Sequence, residues 1–455
     1  MASVLFLNIY IGSLSKTPFH SGIAALSASC KSAGIKTEVI TITQKEEYQH
    51  HIDRVRSSQA DFIAVSISSP EWNNVKEFLD MLKKHGEKRP VIAGGYHPTI
   101  KPEEVISHSL IKYLFLGEAD EPFPELIRTL EAGKTPDDIP NLWFKVKRFF
   151  RTKVIRNPIT YLPQNLDSLP EWDREIFLEE WKTTPEALSG MGGIPVQAGR
   201  GCPFSCAFCC NKSFREVLKE AGQYVRKRSP ENVIREMKRL ISRYDPPAFE
   251  LWDELFLLDR EWTSEFCHIY KEEIRMPFSA LIRADITTKD MLETLYEAGC
   301  RLVMIGVETG NETMRREILK KNISDEQLIR VFNWCKEIRL DTFAFIMLGI
   351  PGETEETLKE TVELCKKLKP TFLGPQIFYP LPKTELGEKT HLTGQFYNNP
   401  LHPNYKVPVV RETKVSPSKV VEAFQELTRM NEEFAQDAFF WSFDYKEMKK
   451  RAKQI

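Results

Sequence analysis

Twice along this chain, short runs of β-branched and aromatic residues alternate with helical stretches, and that alternation restricts the fold more than any other feature. In the first series the strand candidates are Val4 to Ile9, Thr37 to Thr43, Phe62 to Ser68, Val91 to Gly95 and Tyr113 to Gly117. Each ends in polar or glycine-containing turns, and helical patterns fill the gaps. Strands separated by helices must be joined by crossovers, so the series predicts a parallel sheet of βαβ units over residues 1–135. Ligands of such open sheets sit outside the carboxyl ends of the strands. The tails of interest are therefore Ile11 to Ser15, Ser68 to Pro70, Gly94 to Thr99 and Gly117 to Asp120.

Residues 136–194 read differently. A hairpin candidate, Asn141 to Asn157, precedes a stretch punctuated by Pro158, Pro163, Pro170 and Pro185, which suggests a wrapping linker. A second strand and helix series begins at Pro195 to Arg200. It continues through Ala248 to Trp252, Phe278 to Ile282, Arg301 to Val307, Thr342 to Leu348 and Phe372 to Phe378. Helices are expected at Pro230 to Arg243, Arg260 to Glu273, Thr288 to Ala298, Asp325 to Ile338 and Glu355 to Leu368, several opened by Ser, Thr or Asp at the capping position. Six units fall short of a closed eightfold barrel, so residues 195–385 predict an open, partial (β/α) barrel. Residues 386–455 form a small, mostly helical remainder, with one clear helix at Ser416 to Phe434. The aromatic run Phe439, Phe440, Trp441, Phe443 and Tyr445 either lines a pocket or, more commonly, seals a core.

The chemistry concentrates directly after the first barrel strand. Cys202, Cys206 and Cys209 stand at a Cys-x3-Cys-x2-Cys spacing, a short loop that can hold three irons of a cubane and leave the fourth open. Iron-sulfur clusters are normally held by four thiolates, so a set of three implies another ligand on the remaining iron. A closed zinc site would need a second pair of ligands at finger-like spacing, and none follows Cys209. Cys210 is adjacent, but neighbours in a turning loop diverge, and it is expected to point away. Cys30, Cys267, Cys300, Cys335 and Cys365 read as small core residues. Nine cysteines with a single cluster are not a disulfide framework and fit a reducing cytoplasm. With 63 Lys and Arg against 64 Asp and Glu, there is no global electrostatic case for a nucleic-acid partner. No secretory signal opens the chain, and no apolar run is long enough to span a bilayer.

Around these thiols the chain resembles the radical S-adenosylmethionine (SAM) superfamily, and its N-terminal part resembles the cobalamin-binding domain of the cobalamin-dependent members. The first resemblance rests on the cysteine loop and on several later blocks. These are Glu250-Leu251-Trp252-Asp253-Glu254, Gly306-Val307-Glu308-Thr309-Gly310, Gly349-Ile350-Pro351-Gly352-Glu353-Thr354 and Tyr379-Pro380-Leu381-Pro382. The second rests on Ala93-Gly94-Gly95-Tyr96-His97-Pro98-Thr99 and Leu116-Gly117-Glu118-Ala119-Asp120. Together they cover roughly residues 1–385. The implied fold is α/β: a Rossmann-like cobalamin-binding domain, a partial six-unit TIM-type radical SAM barrel and a small C-terminal region shaping the substrate pocket.

The resemblance assigns candidate roles. Cys202, Cys206 and Cys209 would hold a four-iron four-sulfur cluster, and the amino and carboxylate groups of SAM would chelate its open iron. Phe208 would lie near the adenine or simply cover the cluster. Asp253, with Glu254 less favoured, would receive the SAM ammonium group, the alternative being an ordinary helix-start carboxylate. Arg283 would face the methionyl carboxylate. Glu308 would bond a ribose or substrate hydroxyl, or else be a structural acid paired with Lys320. Gly349 and Pro351 would bend the backbone beside the adenine. Ser68, Gly94, Gly95, His97, Thr99, Gly117 and Glu118 would line the cobalamin site. The Asp-x-His-x-x-Gly motif that supplies histidine to cobalt elsewhere is missing, and His97 fits a backbone turn better than a ligand. His20 either contacts cofactor or substrate or opens a helix.

The implied activity is methyl transfer from methylcobalamin to an unactivated carbon or phosphorus centre through a 5′-deoxyadenosyl radical. A small-molecule or peptide substrate and an external electron donor of the flavodoxin or ferredoxin kind would complete the system. The alternatives are a cyclase or ring-rearranging enzyme of the tetrapyrrole type, a radical SAM enzyme whose N-terminal domain binds no cobalamin, and a non-catalytic iron-sulfur protein.

Overall fold

A computed structural model describes residues 2–11, 19–148, 151–181, 188, 191–390, 392–399 and 402–453. The tail expected at Ile11 to Ser15 lies, apart from Ile11, outside the described residues. Two compact units emerge: residues 1–188 with 213–226, and residues 189–212 with 227–455.

The first unit is built on strands β1 (Ser3–Ile9), β2 (Lys36–Ile42), β3 (Phe62–Ser66), β4 (Val91–Gly94) and β5 (Ile111–Phe115), each within two residues of its expected bounds. All five pair in parallel in the order β2-β1-β3-β4-β5. Six successive residues of β1 are buried, which is why the strand reads as a continuous apolar run. The hairpin candidate forms β6 (Leu142–Arg148) and β7 (Arg151–Arg156), and β6 pairs antiparallel with β5. The hairpin thus extends the sheet to seven strands.

The second unit carries six parallel strands in strictly sequential order: β8 (Ile194–Val196), β9 (Phe249–Leu251), β10 (Phe278–Ile282), β11 (Cys300–Glu308), β12 (Asp341–Leu348) and β13 (Phe372–Ile377). This is the open, partial barrel that six strand-helix repeats predict. Side chains at its helices' starts close the first turn: Ser229, Asp259, Thr288, Ser324 and Thr354 each accept the backbone N–H three residues on. Ser324 and Thr354 do so in reciprocal capping boxes.

Beyond the barrel lie β14 (Leu392–Asn399) and β15 (His402–Val410), an antiparallel pair, and then helices at Pro417–Phe434 and Tyr445–Ala452. The strand pair is not visible in the sequence pattern, because Pro400, Pro403 and Pro408 interrupt it and proline demotes a strand. Among the described residues no helix is long and apolar enough to cross a membrane. The five cysteines read as core residues are all buried.

Candidate active site

The cysteine loop leaves β8 and is held at both ends by backbone bonds. At its start, Ala198 N–H donates to Asp253 Oδ2 at 3.1 Å and Gly201 N–H to Glu254 Oε2 at 3.1 Å. Farther on, Ala207 N–H donates to the Leu319 carbonyl and Leu386 N–H to the Ala207 carbonyl, both at 2.8 Å. The loop therefore presents Cys202, Cys206 and Cys209 from a fixed backbone, and all three are half-buried. Their thiols sense one another electrostatically. Burial pushes the Cys202 and Cys206 thiols up, and for Cys206 this is countered by the Lys321 and Arg283 cations. Cys210 does not turn clear of the loop: its thiol bonds the Cys209 sulfur, which draws Cys209 down to about 6. Among the described residues no three His, Cys, Asp or Glu side chains close on a single-ion point. What the loop offers is three soft sulfur donors with cations beside them, a donor set that suits an anionic iron-sulfur cluster.

Arg283, directly after β10, is 8% exposed. Its Nε donates to Asp285 Oδ1 at 2.8 Å, its Nη1 to Cys206 Sγ at 3.4 Å, and its guanidinium lies 3.9 Å from the centre of the Phe204 ring. Arg283 is expected to face the methionyl carboxylate; the structure places it beside the Cys206 thiol, and the partners Phe204 and Asp285 could not be anticipated from spacing. Asp253 is 5% exposed and burial raises its carboxyl to about 7, against the Ala198 N–H and the Lys227 ammonium. Its Oδ1 is buried and has no hydrogen-bond partner among the described residues. A buried acceptor left open next to the loop is what a cationic group would satisfy. Glu254 is exposed. Glu250, three residues before Asp253, is committed elsewhere, accepting from Gly193 N–H at 2.8 Å and Trp252 Nε1 at 2.9 Å.

Glu308 ends β11 with φ of +67°, a left-handed conformation rare outside glycine. Its carboxylate is buried and pairs with Lys321 Nζ at 2.8 Å. The lysine considered from sequence, Lys320, pairs instead with Glu385. The segment leading to these lysines contains a π-helical turn over Met314–Ile318, in which Leu319 N–H reaches back to the Met314 carbonyl, and Lys320 itself takes a left-handed φ of +51°. A side chain at Gly306 would collide with the pair of Glu308 and Lys321. Arg315, fully buried, holds the strand end by donating to the Val307, Thr309 and Ile323 carbonyls. Nothing in the sequence marked Arg315 or Lys321 as part of the site.

The turn after β12 places Gly349 (φ +73°) and Gly352 (φ +83°) in conformations glycine adopts freely. Glu353 is completely buried, accepts Gly349 N–H at 2.6 Å and is raised by burial to about 7. Phe208 packs on the same apolar cluster as Ala207, Leu319 and Ile350, so the cysteine loop and this turn share a wall; Pro351 is buried in the turn.

In the first unit, the tails of β3, β4 and β5 are knotted together. Thr99 Oγ1 donates to the Gly95 carbonyl at 2.7 Å and accepts from Gly117 N–H at 2.9 Å. A Cβ at Gly95 would stand 2.9 Å from Ile67 N, whereas Gly94 has nothing nearer than 3.9 Å. The result is a floor of small residues at the carboxyl edge of the sheet, with Ser68 half-buried beside it. Gly94 is where a ligand could approach the backbone closely, because the space off Gly95 is taken by Ile67 and that off Gly117 by Leu218. His97 turns inward: it stacks on Trp72 with ring centres 5.4 Å apart, and its Nδ1 lies 3.0 Å from Ser69 Oγ. Glu118 is held by Arg226, at 2.5 and 3.2 Å. His20 accepts Ile23 N–H and caps the helix Ser21–Ser32, its helix-opening role.

Comparison with known proteins agrees with this division. Residues 8–127 match the B12 binding domain and residues 196–365 match the radical SAM superfamily. The chain is 25% identical over 339 residues to an uncharacterized methyltransferase of Pyrococcus horikoshii, covering 73% of this chain and 70% of that protein. It is 24% identical over 381 residues to the anaerobic magnesium-protoporphyrin IX monomethyl ester cyclase of Cereibacter sphaeroides, covering 80% of this chain but 59% of the cyclase. In fold it is similar to the radical SAM methyltransferase TsrM of Kitasatospora setae, solved with cobalamin and a [4Fe-4S] cluster. That match has a TM-score of 0.68 at 16% identity, over 95% of this chain and 89% of the other.

Proposed function

This chain is a radical SAM protein with a B12-binding domain, and from that premise we propose that it is a cobalamin-dependent methyltransferase acting on an unactivated carbon or phosphorus centre. One observation carries the reading: the B12-binding match at 8–127 and the radical SAM match at 196–365 occur in a single chain, each on its own sheet. When bound, the cluster with SAM supplies a 5′-deoxyadenosyl radical and cobalamin supplies the methyl group.

The chain's own residues bind and orient. Cys202, Cys206 and Cys209 hold the cluster as thiolates. Asp253, with its open Oδ1, receives the SAM ammonium, and Arg283 meets the carboxylate while keeping its hydrogen bond to Cys206. Glu308 accepts a ribose or substrate hydroxyl through the oxygen not bonded to Lys321. Phe208 and the turn at Gly349 and Pro351 wall the adenine and exclude water. Ser68, Gly94, Gly95, Thr99 and Gly117 receive cobalamin on their floor of small residues, with His97 and Glu118 behind it. The substrate is a small molecule or a peptide and the reductant an external electron carrier, and nine cysteines with a single cluster support a cytoplasmic location.

Anaerobic reconstitution with iron, sulfide and hydroxocobalamin tests this reading. Cobalt should co-elute with the protein on gel filtration, and reduction with SAM should release 5′-deoxyadenosine. Failure of cobalt to co-elute sinks the cobalamin-dependent reading. The similarity to the cyclase supports a second possibility, ring formation or rearrangement. Product mass separates the two: gain of one methylene means methyl transfer, whereas loss of hydrogens or gain of oxygen means the second.

A further inference from the structure

Hydrogen-bond donors converge on the sulfur of Cys209. Asn211 Nδ2 donates to Cys209 Sγ at 3.6 Å, a length set by the larger radius of a sulfur acceptor. The Asn211 backbone N–H and the Cys210 thiol donate to the same sulfur. The backbone donor follows from local structure, because the helix Cys210–Val217 opens directly after Cys209 and the first amides of a helix have no partner inside it. The other two donors are side chains, so substitution can remove them while the loop's backbone bonds stay. Among charged groups, Glu308 opposes these donors at Cys209, but its carboxylate is paired with Lys321 Nζ at 2.8 Å. Lys321 and Arg283 act on Cys206 instead, where Arg283 Nη1 lies 3.4 Å from Sγ.

We propose that Asn211 and Cys210 are positioning residues for the iron-sulfur cluster, whose side-chain hydrogen bonds to Cys209 Sγ raise its reduction potential. The inference rests on the radical SAM reading. A cluster held by thiolates gains one negative charge on reduction, and part of that charge spreads onto the sulfurs. A donor aimed at a ligand sulfur therefore stabilises the reduced form more than the oxidised one, and the potential rises with each such bond. Neither side chain needs to touch iron: both act through Cys209, the third thiol of the loop. Asn211 and Cys210 thus join the site without belonging to the three-thiol spacing.

Full-length protein, Asn211→Leu, Cys210→Ala, Cys210→Ser and the double variant Asn211→Leu/Cys210→Ala should be reconstituted anaerobically with iron and sulfide, without SAM. Each is then titrated with titanium(III) citrate while electron paramagnetic resonance follows the reduced cluster. In the measured step one electron passes from titanium(III) to the cluster, and no bond to Cys209 forms or breaks. Iron content should match in all of them. Asn211→Leu and Cys210→Ala should each shift the midpoint to a more negative potential, and the double variant should shift it farther. Cys210→Ser keeps a donor and should stay nearer the unsubstituted value. The direction separates this role from mere packing, because water admitted by a loosened loop would stabilise the more highly charged reduced cluster and shift the midpoint upward. Unmoved or upward midpoints in Asn211→Leu and Cys210→Ala would overturn the assignment. So would loss of iron in both, because the side chains would then hold the loop itself. If Asn211→Leu alone loses iron, equal midpoints in Cys210→Ala and Cys210→Ser overturn it. If the unsubstituted protein forms no four-iron cluster, the radical SAM reading fails and this proposal with it.

Discussion

Cys209 and Cys210 are adjacent, yet the structure gives them opposite parts. Cys210 donates to the Cys209 sulfur and is itself pushed up by that bond and by burial, while Cys209 is drawn toward the thiolate a metal requires. Alanine at Cys202, Cys206 or Cys209 should therefore abolish cluster retention, whereas Cys210→Ala should keep it. Iron counts on the four purified variants check this, and equal loss in Cys210→Ala would mean the ligand set is wrong. These thiols could be picked out from the chain alone because their spacing is local. The lysine beside Glu308 could not, because the backbone path from the π-helical turn at Met314–Ile318 through left-handed Lys320 leaves no mark in composition. Removing that partner by Lys321→Met would strand a buried carboxylate and should cost about 3–5 kcal/mol, read as a fall in denaturation midpoint. A midpoint within error of the unsubstituted protein would remove Lys321 from the role given to it.

Single elements carry their own chemistry, and the turn between β12 and its following helix is the clearest case. Glu353 bonds the amides of Gly349 and Ile350, while its other oxygen, Oε1, is buried without a partner among the described residues. Burial lifts its carboxyl from an ordinary 4.5 to about 7, so the folded protein binds this proton more tightly than the unfolded chain. The resulting stabilisation is complete below the unfolded value and is lost as pH rises through about 7. Glu353→Gln cannot titrate, so from pH 5 to pH 8 its stability should rise relative to the unsubstituted protein by up to about 3 kcal/mol. Thermal melts of both proteins at the two pH values test it, and an unchanged gap would show that Glu353 does not hold its proton near neutrality. The strands and helices around this turn were readable because their patterns repeat within each element. Glu353 was readable only as part of a resembling motif, since burial depends on what packs against it.

At the scale of the molecule, a distant stretch of chain closes the floor of the partial barrel. Asp341, the first residue of β12, accepts the N–H groups of Phe439, Phe440 and Trp441 at 2.8, 2.8 and 2.6 Å. Trp441 is 1% exposed and packs with Leu302, Met304, Phe372 and Met448, near the amino ends of the strands and away from the cysteine loop. Asp341→Ala would leave three amides without their acceptor and should cost about 3 kcal/mol. Hydrogen exchange should quicken at Phe439 to Trp441 with little change at β8; unaltered exchange there would contradict the anchoring. Within the aromatic run Trp441 seals the core with Phe440 packed against it, whereas Phe439 and Phe443 are exposed. By itself the sequence determined the order of strands and helices, the sequential partial barrel and the three-thiol loop, because each depends on residues within a few positions of one another. Only the tertiary structure decided which cation meets Glu308, that Asp253 keeps an open oxygen, and that the hairpin at 142–156 joins the first sheet. Those pairings join residues tens or hundreds of positions apart, and packing selects them after the local elements have formed.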